Sequence, residues 1–312
     1  MQKKKIIYSL SSRGMYSELF NLCLATVYAR QHHISLQINT YFWNARIQQG
    51  WEDYFAPTLP CCNNPFSAQD KVYSKEKPWI GKIYYNPKAF FSFYLWQIFN
   101  FLYLVCHPKH ILTKDIFPKM RSDRFIKGVL KENAFNLMAS SFKQFYRLNS
   151  NTENLINERI REIKLPNDYI GVHIRRGDKI TSEEMQFIHI DGYVKMISQH
   201  RSTSSNVYIA TDDISIIDEI KPKLESLGFH LFYNNQNKNI GFVETAFNLA
   251  TKEKRKEDTL NVLLDMEVLI HSKFFIGTYT SNLSRVVPFF LGLDKCVSLD
   301  RTWNIINSMN GM

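Results

Sequence analysis

Nothing in this chain repeats. No period of 20 to 50 residues and no low-complexity tract is present, which argues against solenoids, propellers and extended disorder. Cysteine is scarce and odd in number. Cys23, Cys61, Cys62, Cys106 and Cys296 lack metal-ligand spacing, and the adjacent pair 61 and 62 could bridge only with strained geometry. Such usage fits a reducing cytosol better than a disulfide framework. The opening MQKKKIIYSL has the lysines of a secretory signal but too few apolar residues before Ser11, Ser12 and Arg13 to form its hydrophobic region, so it reads as a first strand. Long apolar runs are missing with one exception, AFFSFYLWQIFNFLYLVC at 89–106, interrupted only by Ser92, Gln97 and Asn100. That run sits at the lower edge of the length needed to cross a bilayer of about 30 Å. A buried helix is the preferred reading, with peripheral membrane contact through 89–106 open beside it and a full span disfavoured.

What the chain does have is length, charge and pattern. Its 312 residues favour two domains of ordinary globular composition, 45% apolar and 22% charged, with plentiful aromatics at 14%. A net charge of +10 favours anionic partners without ranking nucleic acid, membrane or phosphorylated ligand. Lys5–Leu10, a helix over Ser17–Arg30 and Ile34–Ile38 form a strand, turn, helix, strand unit, and 45–165 is aromatic-rich and expected to be mostly helical. From Pro166 short β-rich runs at Tyr169–Ile174, Val207–Ala210, His230–Tyr233, Phe274–Ile276 and Val297–Leu299 alternate with helical stretches. This predicts an α/β fold with a parallel, doubly wound sheet, whose ligands gather beyond the carboxyl ends of the strands.

Three clusters fall at such ends. GVHIRRGDKI (171–180) closes an apolar strand with Arg175 and Arg176, permanent cations able to hold two phosphate oxygens each, followed by Asp178, which could fix the direction of one of them, and Lys179. Thr278 to Arg285 follow another strand and open a helix, where Thr280, Ser281, Asn282 and free backbone amides could bind an anion or merely cap the helix. Asp212 and Asp213 suit a helix cap better than a metal pair, with no histidine or third acid beside them. Asp265 lies at the edge of the buried stripe Leu260, Leu263, Leu264 and Val268, where guanine N–H groups or a salt bridge would satisfy it. Glu183 and Glu184 just past the arginine turn could accept a hydroxyl proton. KEKRKED (252–258) reads as a solvated loop. Arg176-Gly177-Asp178 also spells an adhesion tripeptide, which arises easily by chance.

Taken in order, His173 to Lys179, YIATDD (208–213), Leu264 with Asp265, and FFIGTYTSNLSR (274–285) resemble the motifs of the α1,6-fucosyltransferases, over roughly 165–300. The resemblance implies a two-domain GT-B-like fold, with a 1–164 unit on the acceptor side and a Rossmann-like GDP-sugar-binding domain over 165–312. It implies an inverting transfer of L-fucose from GDP-fucose to a glycan hydroxyl, with no metal and no further cofactor. His173 and Asp265 would contact guanine, and Arg175 and Ser281 the diphosphate. Arg176, Asp178 and Lys179 would organise the turn, Glu183 or Glu184 would be the base with Lys179 as relay, and Tyr193 and Gly14 would lie at the donor. Arg255 is an unaligned candidate for the ribose. The eukaryotic core enzyme of the family carries threonine where Gly177 stands. Another nucleotide sugar on the same fold, and a polyanion-binding protein without turnover, are the competing expectations.

Overall fold

Two parallel sheets each grow outward from a first strand and then reverse. The computed structural model describes residues 4–69, 87–177 and 187–305. The chain divides into two compact units, Met1–Arg147 and Leu148–Met312. In the first, β1 (Lys5–Ser9), β2 (Ser35–Asn39), β3 (Cys61–Cys62) and β4 (His110–Leu112) pair in the order β3-β2-β1-β4. Ile6, Ile7 and Tyr8 are all buried, as expected for a parallel strand covered on both faces. Helix α1 (Met15–Gln31) is buried nearly all round, which is why its apolar residues show no single face.

The second unit begins with α5 (Ser150–Ile163). Its sheet, β5 (Ile170–Ile174), β6 (Asn206–Thr211), β7 (His230–Tyr233), β8 (Phe274–Gly277) and β9 (Cys296–Ser298), has the order β7-β6-β5-β8-β9, parallel throughout. The strand expectations hold to within a residue or two. Side-chain alternation assigns the faces. Val172, Ile174, Val207, Ile209 and Ile276 share one core with α6 (Ile190–Gln199) and α7 (Ser215–Ser226). Gly171, His173 and Tyr208 point to the other face, against α9 (Lys252–Ile270), which follows the short α8 (Glu244–Leu249). Gly171 permits this approach, since a Cβ there would meet the Ser272 hydroxyl at 2.9 Å and Leu269 at 3.0 Å.

Several expectations change. The unit division falls one helix earlier than 164/165, because Arg159 of α5 forks onto Glu257 (2.8 and 3.0 Å) and also reaches Asn261 (3.1 Å), both in α9. The run 252–258 is helical, not a loop. Thr251 caps it by accepting from the Lys254 amide at 3.3 Å, and Lys254 pairs with Asp258 one turn on at 2.8 Å.

The apolar helix α2 (Pro87–Cys106) is not a buried helix. Two of its polar residues, Gln97 and Asn100, face the protein. Asn100 donates to the Phe66 and Ala68 carbonyls (2.9 and 3.1 Å) and accepts from Gln69, while Gln97 accepts from Lys114. Much of the apolar surface is left outside, including Phe101 at 65% exposure. Among the described residues, no helix is long and apolar enough to cross a membrane. The first unit continues from β4 into α3 (Thr113–Met120) and ends in α4 (Ala134–Phe145).

Candidate active site

The second sheet changes direction at β5. From there the chain winds outward through β6 to β7, then returns to the other side for β8 and β9. The carboxyl ends of β5 and β8 therefore flank a topological switch, the position at which open α/β sheets leave a crevice. The arginine turn leaves one strand there and the Thr278–Ser281 turn leaves the other.

Asp212 at the end of β6 organises the first turn. One carboxylate oxygen accepts from the Arg176 amide at 2.7 Å. The other accepts from the Phe242 amide at 3.0 Å and forms an ion pair with Arg175 at 3.1 Å. The Arg175 guanidinium also lies over the Phe242 ring, 5.1 Å from its centroid. Its direction is thereby fixed from two sides. Arg176 turns inward, donates to the Ile188 carbonyl at 3.0 Å and lies over Phe187, so it ties the turn to the chain beyond it. Gly177 has φ +54°, and a Cβ there would stand 2.4 Å from the Phe242 carbonyl and 2.7 Å from Asp212. Gly241 meets it from the other side with its own positive φ. Asp178, Lys179, Glu183 and Glu184 lie outside the described residues.

Asp213 does what a cap does, accepting from the Ser215 amide and hydroxyl at 3.0 and 2.7 Å. The two adjacent carboxylates are thus separately engaged, Asp212 on the arginine turn and Asp213 on the start of α7.

Below the switch, on the α9 face, lie His173 and Asp265. His173 is 5% exposed with Nδ1 2.7 Å from the Ser284 hydroxyl. Burial, then the neighbouring Arg175 charge, hold its pKa down to about 3, so the ring is neutral. Asp265 accepts from the Tyr208 hydroxyl at 2.7 Å beside a cavity of about 10 Å³ lined by Thr211, Asn234 and Asn237. Burial pushes its pKa up to about 7 against the lowering effect of Tyr208, with the Asp212 charge adding to the rise. A carboxyl balanced near neutrality is one that a pair of incoming N–H donors could ionise.

The second turn differs from its sequence reading. Ser281 precedes α10 (Asn282–Val286), but its side chain makes no capping bond. The Tyr279 and Thr280 amides, expected to be open to an anion, are taken by Asp300, at 2.8 and 3.0 Å. The Thr280 and Ser298 hydroxyls bond the same carboxylate. Asp300 follows β9, so the rule that located the other clusters at strand ends would have found it. Ser284 and Tyr208 were missed because their roles depend on cross-element contacts that spacing does not encode. Tyr193, expected at the donor, is 1% exposed, with its ring packed in the core on the opposite sheet face and its hydroxyl near Arg176 and Thr278 at the two turns. Gly14 belongs to the first unit, where its carbonyl accepts from the Ser17 and Glu18 amides ahead of α1; no atom outside its chain neighbours would crowd a Cβ there. Arg255 sits in the first turns of α9 with its Nε buried and unbonded among the described residues.

A family model described as alpha-(1,6)-fucosyltransferase N- and catalytic domains matches residues 19–290. The alpha-(1,6)-fucosyltransferase of Drosophila melanogaster is 22% identical over 275 residues, 85% of this chain. The chain spans 39% of that relative's length. NodZ alpha-1,6-fucosyltransferase soaked with GDP-fucose, a protein also solved from Bradyrhizobium, is similar at a TM-score of 0.55 and 14% identity over 93% of each chain. POFUT1 in complex with GDP-fucose gives 0.53 and 11%, covering 93% of this chain and 94% of that one. The two parallel sheets are accordingly those of a GT-B-like fold.

Proposed function

The chain belongs to the alpha-(1,6)-fucosyltransferase family, and from that premise we propose that it is a glycosyltransferase moving L-fucose from GDP-fucose to a glycan hydroxyl, in an α1,6 linkage. The observation that carries this reading is the Asp212-braced arginine turn at the sheet's switch point, above a buried His173 and Asp265 on one face. Phosphate and base would thus be read by separate groups a short distance along the same strand.

In the proposed reaction the acceptor oxygen attacks C1 of fucose while the bond from C1 to the β-phosphate oxygen breaks. GDP departs, the proton passes to a carboxylate, Glu183 or Glu184, and the anomeric configuration inverts. Arg175 stabilises charge growing on the diphosphate. Its fixed direction matters, because an oriented cation needs no reorganisation as the charge develops. Asp265 accepts from the guanine N–H groups, and neutral His173 orients against the base through the nitrogen that Ser284 leaves for it. We read the step as metal-independent, since Asp212 and Asp213 are already committed to protein donors. The five unpaired cysteines favour a cytoplasmic setting.

Arg175→Ala tests the assignment. Loss of one such charge contact is worth about 3 kcal/mol, so GDP release from GDP-fucose with a glycan acceptor panel is expected to fall roughly a hundredfold. Transfer within a few-fold of the parent protein would overturn it. A matched panel of GDP-mannose and UDP-sugars distinguishes a different donor on the same fold.

A further inference from the structure

The net positive charge of this chain does not lie in the unit where the proposed donor binds. The first unit, 1–147, contains 20 lysines and arginines against 8 acids, a net +12, whereas the second contains 19 against 21, a net −2. The unit that carries the charge also carries the apolar face of α2. Tyr94, Leu95, Ile98, Phe101, Leu102 and Val105 are all exposed and recur at the spacing of one helical face. The helix is held down by its polar side, through Asn100 and Gln97, so this orientation is built and not a loosely attached segment. Its carboxyl end leads straight to lysines. Lys109 is exposed, and the strand that follows pairs at His110 with Lys5, next to exposed Lys4.

We propose that the first unit docks on an anionic lipid surface, with the apolar face of α2 entering the boundary between headgroups and acyl chains and the basic end meeting the headgroups. The proposal is independent of the donor assignment. An apolar stripe continuous with basic residues matches what such a surface offers, apolar depth under negative charge. A nucleic acid would satisfy the charge but not the stripe. Pairing with a second copy would satisfy the stripe while bringing together two units of net +12. The consequence for catalysis is an acceptor presented at a membrane, a glycan on a lipid carrier being the fitting chemical class.

Cosedimentation of the full chain with vesicles of phosphatidylcholine, alone or mixed with phosphatidylglycerol, tests this. Binding is expected to the mixed vesicles and to weaken with added salt. Phe101→Glu with Val105→Glu should lower it at least about tenfold, and Lys109→Glu, which leaves the apolar face untouched, about fivefold. Melting curves establish that each variant folds, and GDP release from GDP-fucose to a soluble glycan should be unchanged in both. Three results would overturn the proposal: parent protein left in the supernatant with both vesicle types, the double variant sedimenting like the parent, or a concentration-dependent dimer that the double variant abolishes without any vesicle binding.

Discussion

Asp265 combines a pKa near 7 with a proposed partner that requires its ionised form, and the two together set a pH dependence. Below about pH 7 the carboxyl is protonated in the empty protein, so binding guanine must expel a proton. Affinity for GDP-fucose, whose diphosphate diester does not titrate in this range, should rise about tenfold per pH unit up to about 7 and level off above it. Calorimetry between pH 5 and 9 measures this, and Asp265→Asn should remove the slope. His173, with a pKa held near 3, should add no inflection there. This pair was legible in the sequence only in part. The stripe Leu260, Leu263, Leu264 and Val268 located Asp265 at a buried edge, and the strand pattern located His173. The neutral ring follows from burial and then the Arg175 charge, and the near-neutral carboxyl from burial, opposed by Tyr208 and aided by Asp212; the elements that bury both groups leave no local mark in the sequence.

At the scale of elements, the Thr278–Ser281 turn owes its shape to β9 and not to its own short helix. Asp300 grips two of its amides and its Thr280 hydroxyl, and is itself held by the Ser298 hydroxyl of β9. Replacing it by asparagine removes the charge and half of the acceptor capacity, and each charge-assisted bond contributes about 1.5–3 kcal/mol in such settings. We therefore expect Asp300→Asn to raise the KM for GDP-fucose roughly tenfold or more through a loosened Ser281, with a smaller effect on kcat; an equal fall in kcat with KM unchanged would refute a positioning role. Strand patterning found β1, β2 and β5 to β9, even the three-residue β9, because in the second half short apolar runs alternate regularly with helical stretches. It missed β3 and β4, two and three residues long, which stand alone within the aromatic-rich 45–165 stretch expected to be mostly helical. In α2 the pattern misled. An apolar run usually signals burial, and here it is Asn100 and Gln97 that the protein engages, while much of the apolar side stays outside.

For the whole molecule, the division at Arg147 assigns α5 to the second unit. Arg159 reaches from α5 to Glu257 and Asn261, so removal of the helix would leave a buried part of α9 without cover. A fragment starting at residue 148 is expected to melt cooperatively, and one starting at 165 to melt several degrees lower or not to fold, as circular dichroism would record. Composition alone predicted two units and a basic chain. It could not say that the charge belongs to one unit, because net charge is a sum and only a boundary divides it.

The meeting of Gly177 with Gly241 limits how relatives of this protein can differ. Two backbones touch there with no side chain between them, so no neighbouring substitution can make room for a larger residue. Only a different course of the chain can. A larger residue at Gly177 would therefore have to push the segment after β7 away from the arginine turn, and carry off with it the Phe242 ring that lies against Arg175. The route of the chain at this crossing and the steadiness of the cation beside it are thus a single inheritance, gained or lost together.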